Sequence, residues 1–390
     1  MKRHCFVWAV LLLATTPAMG QSVFGRTETF ATGGGNLVMG DLNRDGLDDF
    51  AVTYFNAGSG TKTEVRYRLP AGGFTTGDYY TVAAGPQGGC IVDANQDNWP
   101  DLLIVANYGN AVSLLYNEAG TGFGGRIDYP TGSCPQEVVS SDFNADGRND
   151  FAVVSSCSSS VTVYYGLPNG TFGNGESYAV GDLSNAIAVA DLNGDHFPDL
   201  STTNSIDDSI TVLYGLATGG FGLRADYPIG TRPADIVACD ANCDGRTDLL
   251  ARVGWSGPRY ISLLTNEPPG FGAEICCYLG RDPNRLVAED FNRDGLADLA
   301  IINRDWKGVS VAYGQESGGF GAQEHYLDGV YFGDIAVTDY DGDGWSDLAL
   351  LDWRKGNLTV LFNELPEPAT LALLAAGAVS LLLRRRRPLC

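Results

Sequence analysis

A nine-residue acidic pattern recurs seven times along this 390-residue chain at a nearly constant spacing. The pattern reads Asp-x-Asn/Asp-x-Asp-x-x-x-Asp, and successive copies start 52, 49, 49, 49, 50 and 49 residues apart. Its copies, numbered loops 1 to 7, begin at Asp41, Asp93, Asp142, Asp191, Asp240, Asp290 and Asp339. A second marker keeps the same spacing at Phe24, Phe74, Phe123, Phe172, Phe221, Phe271 and Phe320. Two independent markers with one period indicate an internal repeat, and periods of about 20–50 residues are typical of solenoids, propellers and arrays.

The fourth repeat contains four short segments with the character of β-strands. An apolar segment over 186–190 precedes loop 4, and a weaker one begins at Leu200 after the loop. A β-branched, alternating segment covers 209–214, and a last segment covers 225–227. Four short strands joined by glycine-rich turns make one blade of a β-propeller, and helical periodicity is missing from the repeats. The sequence therefore predicts an all-β fold, a seven-bladed β-propeller with four-stranded blades.

The strand count also predicts how the ring closes. One spare outer strand, over 24–32, comes before the first loop, whereas the last repeat has a third strand over 358–362 and then reaches Pro366. We therefore expect the N-terminal strand to complete the last blade. Such a join removes exposed sheet edges that would invite aggregation.

Each acidic loop presents oxygen atoms at alternate positions, as a hard cation requires. Calcium takes six to eight oxygen ligands at about 2.3–2.6 Å, and the loop offers side-chain oxygens at positions 1, 3, 5 and 9 with a backbone carbonyl at position 7. Three carboxylates in one turn would repel one another without an ion. Apart from Cys243, the loops offer no soft ligand for zinc or copper. We expect up to seven Ca²⁺ ions, one per blade, and the alternative is an Asx-rich turn without metal.

The predicted calcium ligands are, loop by loop, Asp41, Asn43, Asp45, Leu47 and Asp49; Asp93, Asn95, Asp97, Trp99 and Asp101; Asp142, Asn144, Asp146, Arg148 and Asp150; Asp191, Asn193, Asp195, Phe197 and Asp199; Asp240, Asn242, Asp244, Arg246 and Asp248; Asp290, Asn292, Asp294, Leu296 and Asp298; Asp339, Asp341, Asp343, Trp345 and Asp347. Position 6 calls for a left-handed backbone, which glycine adopts without steric cost. Loops 2 and 4 carry Asn98 and His196 there, and both residue types tolerate positive φ better than most. We expect those two sites to be formed but somewhat strained.

The acidic loop together with the Phe-Gly turn resembles the FG-GAP (VCBS-type) repeats of integrin α-subunit propellers and of many bacterial surface proteins. The resemblance covers residues 24–363. It implies that each loop lies between the first and second strands of its blade, and that calcium rigidifies the propeller rather than touching a ligand. The chain departs from the family pattern at position 6 of loops 2 and 4, and the family's Gly-Ala-Pro element is not intact.

The N-terminus has the features of a secretory signal. Lys2 and Arg3 precede an apolar run over 6–14, and the small residues Ala18 and Gly20 place cleavage before Gln21. A membrane anchor is the alternative, although the run is short for a bilayer span. We assign residues 1–20 to a signal peptide and 21–364 to the propeller.

The C-terminus carries a second export feature. Its sequence-predicted sorting residues are Pro366, Glu367 and Pro368, followed by an apolar run over 369–383 and then by Arg384, Arg385, Arg386 and Arg387. This order resembles the PEP-CTERM sorting signal of Gram-negative bacteria, which we assign to residues 365–390. The resemblance implies transient anchoring in the inner membrane by the C-terminal helix, and then tail removal by an exosortase-type processing enzyme. The protein is expected at the cell surface or in the extracellular matrix, and a plain tail anchor is the alternative.

Composition weighs against two classes of function. Asp and Glu outnumber Lys and Arg by 47 to 25, for a formal net charge of −22, whereas nucleic-acid-binding proteins present basic patches. The chain has three histidines, from which no Ser-His-Asp or Cys-His arrangement can be assembled. We therefore predict no nucleic-acid partner and no catalytic residues.

Cysteine positions indicate one disulfide. Export permits such bonds, and Cys134 lies in the link into the third blade while Cys157 lies in the turn between that blade's second and third strands. In an up-and-down blade these two connections share a face, so we predict that this pair is bonded. Cys90 lies on an inner strand, where a small buried hydrophobe is expected. The fifth repeat contains Cys239, Cys243, Cys276 and Cys277, whose spacing matches no zinc pattern.

These features predict an exported, calcium-binding propeller that acts as a binding or adhesion module for extracellular glycan or protein ligands. Trp255, Trp306 and Trp353 fall at or near one rim, and aromatic rims can stack on sugar rings, although single exposed aromatics are normal. Two alternatives remain open. One is a polysaccharide lyase or hydrolase on the same propeller, and the other is a structural matrix protein.

Overall fold

The computed structural model describes residues 24–54, 60–254, 259–304 and 307–364. Within these ranges the chain forms seven four-stranded antiparallel sheets, and the one helix there is the 3₁₀ turn Ser156–Ser158. The predicted all-β, seven-bladed propeller is therefore confirmed. The predicted signal peptide and sorting signal lie outside the described residues, as do Trp255 and Trp306.

Each blade begins with an inner strand, passes through its acidic loop into a second and a third strand, and ends with an outer strand. The strands, in that order, are Leu37–Gly40, Asp49–Thr53, Lys62–Arg66 and Asp78–Thr81 in blade 1; Pro86–Val92, Asp101–Ala106, Ala111–Asn117 and Phe123–Pro130 in blade 2; Pro135–Ser141, Asp150–Ser155, Ser160–Tyr164 and Glu176–Ala179 in blade 3; Ser184–Ala190, Asp199–Asn204, Ser209–Gly215 and Phe221–Pro228 in blade 4; Asp235–Cys239, Asp248–Val253, Tyr260–Leu264 and Ile275–Cys277 in blade 5; Pro283–Glu289, Asp298–Asn303, Val309–Gly314 and Phe320–Tyr326 in blade 6; Asp334–Thr338, Asp347–Asp352, Asn357–Asn363 and Phe24–Ala31 in blade 7. Blade 5 also carries a small hairpin of Asn266–Glu267 and Gly270–Phe271.

The N-terminal strand closes the ring, as predicted. Phe24–Ala31 pairs antiparallel with Asn357–Asn363, the third strand of blade 7, and places Thr29 opposite Thr359. The hydroxyl oxygens of these two threonines lie 3.2 Å apart. The third strand of blade 7 is therefore covered by the other end of the chain and is not an exposed sheet edge.

The hydrophobic core lies between neighbouring blades. The second strands of blades 2 and 3 are buried at every residue, because a sheet within the ring packs against another sheet on each face. One buried cluster joins Val105 of blade 2 to Phe151 of blade 3, and another joins Ile210 of blade 4 to Leu249 of blade 5. Fully burying a side chain of this size contributes about 1.5–3 kcal/mol, so the blade junctions carry the stability of the ring.

An aromatic contact recurs at most blade junctions. Six residues after each repeat-marking phenylalanine, a second ring contacts the phenylalanine of the next blade in an edge-to-face arrangement. The contacts, with ring centroids 5.0–5.5 Å apart, are Phe30–Phe74, Tyr80–Phe123, Tyr129–Phe172, Tyr178–Phe221, Tyr227–Phe271 and Tyr326–Phe24. In blade 5 the corresponding residue is Cys277, which packs against the same cluster as Phe320. The closing junction therefore uses the same interaction as the others.

The closure predicts a specific cross-link. In the variant Thr29→Cys/Thr359→Cys we expect an intramolecular disulfide, because the two residues are direct cross-strand partners within disulfide reach. Peptide mapping by mass spectrometry after mild oxidation would identify the bond. The matched control Thr27→Cys/Thr359→Cys is offset by two residues, which separates the Cα atoms by about 7–8 Å. Equal cross-linking of both pairs, or cross-links only between molecules, would contradict the closure.

Candidate functional site

The acidic loops lie together on one face of the propeller. Each loop joins the inner strand of its blade to the second strand, and the strands of a blade alternate in direction. All loops therefore leave the same end of the inner strands, and we call this side the loop face. The opposite side, which we call the turn face, carries the links between blades and the turns between second and third strands.

The position-1 aspartate organises each loop by accepting backbone hydrogen bonds. In all seven loops one of its oxygens accepts the N–H of position 6 at 2.8–3.0 Å. In loops 1 to 6 its other oxygen accepts the N–H of position 5 at 3.0–3.1 Å. The position-5 carboxylate in turn accepts the N–H of position 7 in every loop. These bonds hold the carboxylates of positions 1 and 5 on one tight turn.

Two positions of every loop have a left-handed backbone, although the sequence pattern indicated one. Position 6 has φ between 67° and 86°, and Asn98 and His196 adopt this conformation as the glycines do. Position 4 also has φ between 55° and 77°. Glycine occupies position 4 only in loops 4 and 7, and the other loops place Arg44, Gln96, Ala145, Cys243 and Arg293 there. Sequence reasoning missed position 4 because no residue type marks it.

The position-9 aspartate has a structural role that the metal-ligand pattern did not reveal. It starts the second strand, its side chain is buried, and both of its oxygens accept backbone N–H groups at 2.7–3.1 Å. One donor is position 2 of the same loop and the other lies at or just past the end of the third strand. The donors are Leu42 and Arg68 for Asp49, Ala94 and Asn117 for Asp101, Phe143 and Gly166 for Asp150, Leu192 and Gly215 for Asp199, Ala241 and Asn266 for Asp248, Phe291 and Gly314 for Asp298, and Tyr340 and Asn363 for Asp347.

Burial raises the pKa of all seven position-9 carboxyls. The pKa rises to about 7 at Asp49, Asp298 and Asp347, to about 6 at Asp101, Asp150 and Asp199, and also rises at Asp248. The two backbone N–H groups oppose this effect, and the neighbouring carboxylates of positions 1 and 5 add to it. A cation in the loop would favour the ionised form of the whole set.

Loop 7 has a different internal arrangement, with an unsatisfied oxygen. It carries Asp341 instead of asparagine at position 3, and one oxygen each from Asp339, Asp341 and Asp347 lie within 4.8 Å of one another. This is the one group of three acidic, cysteine or histidine side chains in the described ranges that converges so closely. The Asp339 Oδ1 atom is buried and has no hydrogen-bond partner among the described residues. A cation bound here would stabilise the ionised form of such a buried carboxylate.

Loops 3 and 5 supply a cation from their own side chains. The guanidinium of Arg148 pairs with Asp146, and that of Arg246 pairs with Asp244 at 2.5 Å. Both arginines stand at position 7, whose backbone carbonyl is a predicted ligand. Their side chains neutralise part of the loop charge, so the seven loops are not equivalent as cation sites.

The donor set fits a hard divalent cation. Every candidate ligand is a carboxylate, carboxamide or backbone carbonyl oxygen, as calcium prefers. In loops 1 to 6 each position-1 oxygen accepts at least one N–H bond, and a carboxylate oxygen retains further acceptor capacity. In loop 7 the unsatisfied Asp339 Oδ1 is fully available to an ion.

The cysteines have separate environments. The sulfurs of Cys134 and Cys157 are bonded to each other, and both residues lie on the turn face. Cys90 packs against the core between blades 2 and 3, and burial raises the pKa of its thiol to about 12. The fifth-repeat cysteines Cys239, Cys243, Cys276 and Cys277 are free thiols, and no zinc-like cluster forms among them in the described structure.

One serine–histidine contact proves to be part of the repeat. Ser310 Oγ lies 2.8 Å from His325 Nδ1, across the third and outer strands of blade 6. The same cross-strand position in blade 2 holds Ser113 and Asp128 at 2.7 Å. Ser310 is fully buried, so the contact links two strands and offers no accessible nucleophile.

The family comparison agrees with this geometry. Residues 142–202 and 191–251 match the model of the FG-GAP-like repeat, and residues 364–387 match the PEP-CTERM protein-sorting motif. This chain is a seven-bladed propeller in which 142–251 match FG-GAP-like repeats. The sorting motif indicates export of this propeller with exosortase-type processing. Among the described residues, no helix has the length and apolar character of a membrane span. No curated protein matches the sequence.

Solved structures similar to the FG-GAP propeller share its fold at low sequence identity. BBS1N, in a complex with ARL6DN, aligns with a TM-score of 0.62 and 10% identity over 88% of this chain and 97% of its own. A lectin of Agrocybe aegerita that recognises non-reducing terminal N-acetylglucosamine aligns with a TM-score of 0.56 and 17% identity over 86% of each chain. A Lactobacillus plantarum protein aligns with a TM-score of 0.56 and 11% identity over 76% and 85% of the two chains.

The position-9 hydrogen bonds predict a metal-independent stability effect. Asp150→Ala leaves the buried N–H groups of Phe143 and Gly166 without an acceptor, so we expect the free energy of unfolding in EDTA to fall by about 3 kcal/mol. The control Asp146→Ala removes an outer carboxylate that pairs with Arg148, and should cost less than about 1 kcal/mol in EDTA. Urea denaturation of both variants measures the difference. Equal losses in EDTA would refute the structural role of position 9.

Proposed function

We propose that the FG-GAP propeller is an exported calcium-binding module that acts at the cell surface or in the extracellular matrix by binding glycan or protein ligands. The observation that carries the calcium proposal is the unsatisfied, buried Asp339 Oδ1 beside Asp341 and Asp347. Six further loops have the same ligand positions and the same backbone turn.

Calcium in these loops has a structural role. The ions would be held by the side chains of positions 1, 3, 5 and 9 and by the carbonyl of position 7. Bound calcium supplies positive charge to carboxylates whose ionised form is disfavoured by burial. The position-9 aspartate then links the ion to the backbone of the second and third strands, so that ion binding stabilises the blade and not only the loop.

The exposed loops and the burial of Ser310 in the serine–histidine contact favour a binding function over an enzymatic one. The propeller presents two faces built on a rigid ring, and its turn face bears loops whose tips differ from blade to blade. FG-GAP propellers are typically non-enzymatic, and the Ser310–His325 pair is buried as a strand link. The Agrocybe aegerita lectin with the same fold recognises a terminal sugar, which supports glycans as one ligand class for this chain.

The export route sets the partners and the place of action. An exosortase-type enzyme would process the C-terminal sorting motif after the hydrophobic tail has held the chain in the inner membrane. Release would place the propeller at the surface or in the matrix of a Gram-negative cell. Calcium would be available to the loops there, and extracellular glycans and proteins are the ligands within reach.

Calcium removal tests the metal assignment. We expect EDTA to lower the melting temperature of the full chain, and Ca²⁺ to restore it more fully than Mg²⁺, because ions that bind only the folded state stabilise it by mass action. Asp294→Ala should reduce the calcium count by one in native mass spectrometry. The charge-matched control Asp328→Ala, outside the loops, should keep the full count. A melting curve unchanged by EDTA would overturn the assignment.

Ligand screening tests the binding role. We expect the calcium-loaded full chain to bind selectively on an array that carries glycans and matrix proteins, with binding lost in EDTA as the propeller loosens. The same samples can be monitored for cleavage of the bound glycans. Glycan turnover would favour the lyase or hydrolase alternative, and the absence of binding to either ligand class would leave the structural matrix protein.

A further inference from the structure

A polar funnel opens on the turn face where the inner strands begin. Its cavity of about 510 Å³ is formed by all seven blades around the central axis, and its lining includes Asn36, Gln136, Asn185, Arg285 and Asp334. The calcium loops lie at the opposite ends of the same strands. The funnel is therefore separate from the predicted metal sites.

β-Bulges direct carboxamide side chains toward this funnel. Gln87, Gln136 and Asn284 each follow a proline and are the extra residue at a register shift near the start of their inner strand. A register shift also includes Asn185 in blade 4. Bulges re-aim a side chain without ending the strand. Together with Asn36, five of the seven blades place a carboxamide in the funnel lining.

These carboxamides retain hydrogen-bonding capacity. Gln87 donates to Gln136, which donates to Ser156, and Asn185 donates to Ser205. Gln136 also donates to the backbone carbonyl of Cys134, so both of its donors are used, whereas Gln87 and Asn185 use only part of the two donors and two acceptor lone pairs of a carboxamide. Asn36 and Asn284 are half-buried in the lining, and their side-chain amides are not taken up by any hydrogen bond recorded among the described residues.

Charged groups lie below the carboxamides. Arg285 contacts Asp235 at 3.1 Å and Asp334 at 3.9 Å, and Glu137 of blade 3 interacts with the same guanidinium. Arg252, which also lines the funnel, has a buried Nε without a partner in the described structure. Three carboxylates against two guanidiniums leave this layer without positive excess. An anionic ligand would therefore gain no net attraction here.

An aromatic ring borders the funnel on blade 7. At the position where blades 2, 3, 4 and 6 have a carboxamide, blade 7 has Gly333, and a Cβ atom there would fall 2.0 Å from Trp353 Cδ1. The glycine thus leaves room for the indole. Trp353 is 49% exposed and is held by an edge-to-face contact with Tyr331. A fixed, half-exposed indole beside convergent polar groups offers a flat apolar platform.

We propose that the funnel binds a neutral saccharide unit, with Trp353 stacking on one face of the sugar ring and the carboxamides of Asn36, Gln87 and Asn284 bonding its hydroxyl groups. Carboxamides suit hydroxyl groups because each can donate and accept at the same time. This assignment rests on the proposed binding function and narrows its ligand to a glycan taken up at the turn face.

The test uses the full chain in calcium and an array of defined neutral and uronic oligosaccharides, followed by titration calorimetry with the neutral oligosaccharide that binds best. We expect binding to neutral members and not to uronic ones. Trp353→Ala and Asn284→Ala should each weaken binding about tenfold, which corresponds to the loss of a stacking contact or a hydrogen-bonded group. Tyr278→Ala, which truncates a 77% exposed aromatic residue just after the outer strand of blade 5, is the control and should bind as the parent does.

Three results would overturn the assignment, and they separate it from the proposed function. Neutral-sugar binding that is unchanged in both funnel variants would keep a glycan-binding propeller but move the site elsewhere. Binding only to uronic oligosaccharides or only to matrix proteins would likewise refute the funnel and retain the binding role. No binding on this oligosaccharide array or on the array of glycans and matrix proteins would refute both the funnel site and the proposed binding function. Melting curves of the variants in calcium confirm that each is folded.

Discussion

A buried carboxylate at the start of each second strand is the interaction on which the blade depends. Its two oxygens accept one N–H from the acidic loop and one from the region where the third strand ends, as at Asp150 with Phe143 and Gly166. One carboxylate thereby joins three segments of the blade: the acidic loop, the start of the second strand and the end of the third strand. Because an unsatisfied buried N–H costs about 1–3 kcal/mol, the aspartate is required at this position whether or not an ion is bound.

This double role explains why the repeat is so regular in sequence. A loop that only coordinated an ion could change its ligands from copy to copy, and position 3 does vary, with Asn in loops 1 to 6 and Asp in loop 7. Position 9 cannot vary in the same way, since it also closes the backbone hydrogen bonds of its blade. Burial raises the pKa of these carboxyls, to about 7 at Asp49 and Asp347, so keeping them ionised in the folded blade has an electrostatic cost.

The repeat period, the strand count and the ring closure could be predicted because each leaves a regular trace in the sequence. Phe24 begins a spare outer strand before the first loop, and the repeat with Asp339 has no outer strand of its own. The N-terminal strand is therefore expected to complete the last blade, and it pairs with Asn357–Asn363. The left-handed backbone at Arg44 and the bulge at Gln87 left no such trace. Position 4 of the loops is Arg, Gln, Ala, Gly or Cys, so no residue type marks it, and the Pro-Gln and Pro-Asn pairs at the bulges are too short a pattern to indicate a bulge.

The residues that stabilise the blades and the residues proposed to bind a ligand lie on opposite faces of the propeller. On the loop face a substitution at position 9 disturbs a buried carboxylate and a strand junction together, as at Asp150, so it carries a large cost. On the turn face the carboxamides lie at or near the starts of the inner strands and Trp353 lies in a turn, away from the buried second strands. Substitutions at Asn284 or Trp353 can therefore alter what the funnel accepts without loosening the ring. A fold with this separation can retain seven acidic loops of one pattern while the residues of its opposite face vary.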